Sequence, residues 1–342
     1  MPAQAALARR KSMPANAALA KSYAIGVSRQ PGLYLTFVVG DHCDLDCSFC
    51  IIQQTGEVSS ANHMLLQPGE YVQFLRSIHS RYHVLGVKVQ GYEALLPGVA
   101  WESTKAILET AQELSIHDRG LVTNGTHLVD HADELARLEA MVVVSIDSHI
   151  PRAHDRLRRN DGAFVQTVSG VQALVRAYRA KHGAHGTNDR ITITSILMSP
   201  KHTRNLSGMP SLVKRLGLDD WVVEPLLKSE TDSAHVMHEN HDIVMAVRDK
   251  LVPYAEKAGI TLSISDDSDA FLQEREQFED MMFRYLENPH SHVVRLSSYG
   301  HVRHGKGTLQ KVTDTTPVWN RTEDPVLFFR RVLPSLPKKM HL

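Results

Sequence analysis

Residues 33–50 read Leu33-Tyr34-Leu35-Thr36-Phe37-Val38-Val39-Gly40-Asp41-His42-Cys43-Asp44-Leu45-Asp46-Cys47-Ser48-Phe49-Cys50. The first seven are dense in apolar and β-branched side chains without strict alternation, the pattern of a strand buried on both faces. A loop follows at once. It holds all three cysteines of the chain at the spacing C-x₃-C-x₂-C. Three thiols this close make a poor disulfide framework, because pairing two strands the third. Cysteine used once, in one loop, points to metal binding in a reducing, cytoplasmic compartment.

Working outward, the strand recurs with helices between. Apolar runs predict strands at 33–39, 86–90, 121–123, 141–146, 191–198 and 221–227, and helical spacing predicts helices at 68–82, 101–114, 131–139, 164–181 and 209–216. Such strands belong to a parallel sheet covered by helices: an incomplete or closed β/α barrel, or a doubly wound open sheet. In either, the polar residues just past each strand form the functional rim. Beyond 230 the rhythm changes to helices at 242–258 and 271–286, a strand at 260–264, a hairpin from 293–296 and 300–303, and a last helix at 326–333. The domain reading is a flexible Ala-rich arm at 1–30, a core at 31–230 and an extension at 231–342. The arm holds a near-repeat, Met1-Pro2-Ala3-Gln4-Ala5-Ala6-Leu7-Ala8 recurring as Met13-Pro14-Ala15-Asn16-Ala17-Ala18-Leu19-Ala20. Arg9, Arg10, Lys11 and Pro14 interrupt the apolar stretch that a secretory signal needs.

Composition narrows the function. With 342 residues, 42% hydrophobic and 22% charged, the chain is not of a disordered, collagen-like or disulfide-scaffold class. Lys plus Arg equals Asp plus Glu at 38 each. A protein that neutralises many phosphates carries a basic excess, so a nucleic-acid substrate is disfavoured. No apolar run reaches the ~18 residues of a membrane span.

Three thiolates from one loop suit a four-iron cluster, holding three irons and leaving the fourth open to chemistry. The competing metal reading is a structural zinc, with His42 or a distant His as fourth ligand, in a binding protein without catalysis. Structural zinc sites more often come as two paired half-sites, and here there is one.

With a strand before it and Phe49 just before the last cysteine, this motif resembles the radical S-adenosylmethionine (SAM) superfamily, over about residues 33–230. The resemblance implies a partial (β/α)₆ barrel with the C-terminal extension capping it. It implies a [4Fe-4S] cluster on Cys43, Cys47 and Cys50, SAM as second cofactor, oxygen sensitivity, and an external one-electron reductant of flavodoxin or ferredoxin type. It also assigns SAM contacts. By this resemblance Phe49, just before the last cysteine, would be one of them. Gln90-Gly91-Tyr92-Glu93-Ala94 stands where the family shows G-G-E-P, so Gly91, Tyr92 and Glu93 would receive the ammonium group, although Tyr92 and Ala94 depart from the pattern. Thr123-Asn124-Gly125 matches T-N-G. Ser145-Ile146-Asp147 and His154-Asp155-Arg156-Leu157-Arg158 resemble S-x-D and H-D-x-x-R, which puts Ser145 and Arg158 on the methionine carboxylate and Asp147 near the ribose. Leu197 stands where the backbone meets the adenine.

By the same resemblance, the reduced cluster cleaves SAM to methionine and a 5′-deoxyadenosyl radical that takes hydrogen from a substrate. With every cysteine in the loop, no thiol is left to return a hydrogen atom or to hold an auxiliary cluster. Rearrangement, elimination, addition to an unsaturated acceptor, or quenching by tyrosine or solvent remain. Glu224, Lys228, Arg295, Tyr299, His301 and Arg303 fall at the rim or in the hairpin, a set suited to a small anionic substrate such as a nucleotide sugar. The whole chain also resembles the radical enzymes of tunicamycin-type nucleoside antibiotic biosynthesis, which implies joining a uridine-derived fragment to an unsaturated sugar. A nucleic-acid-modifying radical enzyme is the alternative within the class.

Overall fold

The computed structural model describes residues 32–50, 64–187, 190–226, 241–264, 292–297, 302–304, 319 and 321–332. Elements alternate from the first strand onward. They run β1 (Leu33–Val39), α1 (Pro68–Arg81), β2 (Val84–Gly91), α2 (Val99–Glu113), β3 (Asp118–Thr123), α3 (Leu128–Arg137), β4 (Met141–Ser145), α4 (Pro151–Arg158), α5 (Ala163–His182) and β5 (Ile191–Leu197). A 3₁₀ turn at Pro200–His202 leads to α6 (Thr203–Leu206), α7 (Met209–Arg215), β6 (Asp220–Pro225), α8 (His241–Ala258), β7 (Thr261–Ile264), β8 (His292–Leu296), β9 (Val302–His304) and α9 (Pro325–Val332).

Among the described residues the strands form one nine-stranded sheet in the order β7-β6-β5-β4-β3-β2-β1-β8-β9, every neighbouring pair parallel except the β8–β9 hairpin. Strands β1 to β6 lie in strict sequence order. A doubly wound sheet reverses its order at a switch point, so that alternative is excluded, and the sheet is the open, partial barrel. Crossovers between parallel strands follow the right-handed rule, which in a sheet of sequential order puts the helices on one face. Leu33, Leu35, Phe37 and Val39 of β1 join the core there, where the Phe37 ring meets Tyr71 and Phe74 of α1 edge-on, 5.9 and 6.2 Å away. Tyr34, Thr36 and Val38 consequently point to the opposite, concave face.

Helix α1 illustrates why the elements form where they do. Pro68 starts it, Glu70 accepts the Gln67 N–H at 2.7 Å, and Tyr71, Phe74, Leu75 and Ile78 recur on its buried face. The Tyr71 hydroxyl donates to the Val38 carbonyl at 2.7 Å, fixing the end of β1 just before the cysteine loop.

The extension adds strands to the sheet. Its described strands widen the sheet at both edges, β7 beside β6 and the hairpin beside β1. Because β8 is parallel to β1, with Leu296 opposite Phe37, β8 ends toward the rim that carries the cysteines. The arm at 1–30 and the helix expected at 271–286 lie outside the described residues, as do Lys228, Tyr299 and His301. No described helix is long and apolar enough to cross a membrane.

Candidate active site

The cysteine loop leaves β1 and is tied to the rim of β3 and to the end of α4. Asp44, between the first two cysteines, accepts from Asn124 Nδ2 and from Thr126 Oγ1, both at 2.7 Å, and lies 3.4 Å from His127 Nε2. All three partners follow β3. On the other side, α4 ends against the loop: the Asp46 N–H donates to the Arg158 carbonyl and the Ser48 N–H to the Leu157 carbonyl, each at 3.3 Å. Asn160 Nδ2 donates to the Asp44 carbonyl at 3.3 Å, and Arg159 pairs with Asp46 at 3.0 Å.

The thiols themselves are half-buried and free. Burial pushes the Cys43 thiol up to about 12, with the Leu45 N–H only partly offsetting it and nearby Glu93 and Asp44 adding to the rise. Burial raises Cys47 as well, against the pull of Arg158. Both therefore need a strong positive partner to become thiolates, which an iron core supplies. Two donors already face the sulfurs: Asn124 Nδ2 lies 3.7 Å from Cys43 Sγ and Arg158 Nη1 3.6 Å from Cys47 Sγ. Arg158 Nε is buried with no hydrogen-bond acceptor among the described residues, a donor left over for a bound group. Among those residues no three His, Cys, Asp or Glu side chains converge on a single ion. A four-iron cluster makes no such demand, since each thiolate takes its own iron. The residues fit the cluster.

The rim after β2 is held by Glu93. It is 1% exposed, and its carboxylate accepts from Thr123 Oγ1 at 2.6 Å, the Asn124 N–H at 2.7 Å and the Leu95 N–H at 2.9 Å. Burial raises it to about 7, the three donors pulling the other way. Beside it Gly91 has φ +133°, and a Cβ there would meet Val38 Cγ1 at 2.5 Å. Gly125, with φ +86°, packs as tightly on Thr167. Both turns thus require glycine.

After β4, Asp147 is fully buried. It accepts the Ile196 N–H at 2.9 Å and pairs with Arg158 Nη2 at 2.6 Å, while Arg158 also lies over the Phe49 ring, 5.3 Å from its centroid. Burial opposes the Arg158 charge, but Asp147 and Cys47 outweigh it and hold the group above its usual range. The Asp147 N–H donates to His154 Nδ1, and burial pushes that imidazole down to about 4, so it is neutral. Asp155 closes the next turn by accepting the Gly162 and Phe164 N–H groups at 3.0 and 2.8 Å. The H-D pair is thus a local brace, a role its sequence did not suggest.

The structure therefore brings Cys43, Cys47, Cys50, Phe49, Glu93, Asn124, Asp147 and Arg158 to one rim. Gly91 ends β2 there, with half-buried Tyr92 just after it. Ser145 stands half-buried at the end of β4, opposite Thr194 in register, and does not touch Arg158 in any described contact. Leu197 ends β5, its carbonyl accepting the Leu226 N–H at 3.0 Å. Glu224 lies opposite Ile196, and Arg295 opposite Arg303 in the hairpin. The sequence reading missed Asp44, Thr126, His127 and His202, a buried histidine whose ring rests on the Asp147 and Ile196 backbone. It also missed Lys88, which alternation puts on the concave face with Thr36.

Residues 37–195 match the model of the radical SAM superfamily. Over those residues the chain carries a radical SAM domain, the domain of enzymes that use a [4Fe-4S] cluster and SAM. Solved structures agree in fold. Streptococcus suis SuiB bound to S-adenosylmethionine superposes with a TM-score of 0.63 at 13% identity, over 89% of this chain and 66% of that one. SuiB bound to its precursor peptide SuiA gives 0.60 at 14% identity, over 87% and 64%. Native anSMEcpe with bound AdoMet gives 0.57 at 13% identity, over 87% and 80%. The chain thus spans just under two thirds of the SuiB chain's length. No curated protein matches the sequence.

Proposed function

We propose that this protein uses Cys43, Cys47 and Cys50 to hold the cluster and opens SAM to a radical that takes hydrogen from a small anionic or nucleoside-type substrate, such as a nucleotide sugar. The observation that carries this is the cysteine loop at the end of β1, roped to the rim of β3 through Asp44 and Asn124 and to α4 through Arg158. When bound, the cluster supplies one electron for the cleavage, drawn from a flavodoxin- or ferredoxin-type donor.

The chain's own residues then orient and enclose. Gly91 lets the backbone approach SAM, and Glu93 supplies a carboxylate for its ammonium group. Ser145 and the spare Arg158 Nε–H address the methionine carboxylate, Asp147 holds that arginine in place, and the backbone at Leu197 receives the adenine. The order of residues along the sheet favours an anion: Lys88 and Arg295 both stand in register with Thr36, one on each side of β1, with Glu224 across the sheet. With no further thiol in the chain, the product radical is resolved by coupling, elimination, or tyrosine or solvent quenching. Coupling of a uridine-derived fragment to an unsaturated sugar, as in nucleoside antibiotic biosynthesis, is the specific reaction put forward.

The test is anaerobic incubation of reconstituted, dithionite-reduced protein with SAM and a panel of nucleotide sugars. Substrate-dependent release of 5′-deoxyadenosine supports the reading. Release that none of the panel stimulates, with stimulation by RNA or peptide instead, overturns the substrate class.

A further inference from the structure

We propose that Arg158 sets the reduction potential of the cluster, as a positioning residue acting through Cys47, separately from any contact it makes with SAM. The inference rests on the reading of the three cysteines as cluster ligands. Three observations carry it. Arg158 Nη1 lies 3.6 Å from Cys47 Sγ, its guanidinium covers Phe49 within the same loop, and its side chain is only 8% exposed. A cation shielded from water this close to a ligand sulfur stabilises the form of the cluster that carries the extra electron. Hydrogen bonds to ligand sulfurs act in the same direction.

The backbone fixes the distance. Carbonyls of Leu157 and Arg158 hold the Ser48 and Asp46 N–H groups, on either side of Cys47, so the loop cannot retreat from the guanidinium without breaking both bonds. Asp147 opposes the effect. Its carboxylate, 2.6 Å from Nη2, partly neutralises the cation and lies in the same buried pocket. The pair is therefore a balance: removing Arg158 disfavours the added electron, and neutralising Asp147 favours it.

The experiment measures the midpoint potential of the reconstituted cluster without SAM, in wild-type protein, R158Q, R158K and D147N, after iron and sulfide per chain are matched. Reduction adds one electron, supplied by dithionite, to the oxidised cluster. R158Q should lower the equilibrium constant for reduction about tenfold, about 59 mV for one electron. R158K should return part of that shift, and D147N should move the potential upward. R158Q with full iron and an unmoved potential, its only defect being weaker SAM binding, overturns the proposal and leaves Arg158 as a carboxylate reader. Should R158Q not load iron, D147N decides, and an unmoved or lowered potential there overturns it. A wild-type protein that takes up no cluster refutes the cluster reading itself, and this proposal with it.

Discussion

Asp44 and Asn124 are 80 residues apart in sequence and meet at 2.7 Å, carboxylate to side-chain amide, between the cysteine loop and the rim of β3. A loop carrying three thiols has little apolar surface with which to fix itself. Polar ties to stiff sheet ends do that work instead, and Asp44 collects three of them.

Asp44→Ala removes the acceptor of Asn124 and Thr126. It should cost about 1–3 kcal/mol and leave the sheet intact. Iron retained after desalting should fall well below that of wild type, while far-ultraviolet circular dichroism is unchanged. Equal iron retention would show that the loop holds itself.

Glu93 gives a pH signature. Its folded value of about 7 lies above the ordinary carboxylate value of 4.5. Between those two values the folded state binds a proton that the unfolded state has lost, so stability falls as pH rises from about 4.5 to about 7 and is level above. Thermal unfolding across that window should show the decline, and Glu93→Gln should flatten it while costing about 1–3 kcal/mol, because an amide N–H₂ then faces backbone donors. The proposed ammonium contact adds a second consequence: SAM should bind more tightly as pH rises through about 7.

Gly91→Ala combines a strained backbone with a clash on Val38. A loss of about 1–3 kcal/mol is expected, together with weaker SAM binding in equilibrium dialysis. Wild-type stability and affinity in this variant would remove Gly91 from the site.

Much of this was legible in advance, for physical reasons that differ by element. Continuous apolar runs such as 33–39 and 141–145 mark buried parallel strands, and they fall where expected. β3 begins earlier than its apolar run, at Asp118, because Arg119 can be buried once its guanidinium donates to the Leu138 and Ile116 carbonyls. Helix α4, Pro151–Arg158, has almost no apolar face to read and stands on its Pro start and on contacts with the loop. The β8–β9 hairpin was visible as a hairpin, but nothing local could say that it would join β1. At the site, motif residues were readable one at a time. That Asp147 and Arg158 neutralise each other, and that Glu93 spans two rims, depends on long-range pairing that spacing does not encode.

In the proposed function the three-cysteine loop holds a cluster that opens SAM. The most direct test is the yield of 5′-deoxyadenosine and methionine from anaerobically reconstituted, dithionite-reduced protein, compared with a variant in which Cys43, Cys47 and Cys50 are all alanine. Wild type should give equal amounts of both products, and the variant neither. Full iron and sulfide in the wild type with no 5′-deoxyadenosine, or the same yield from the variant, would contradict it.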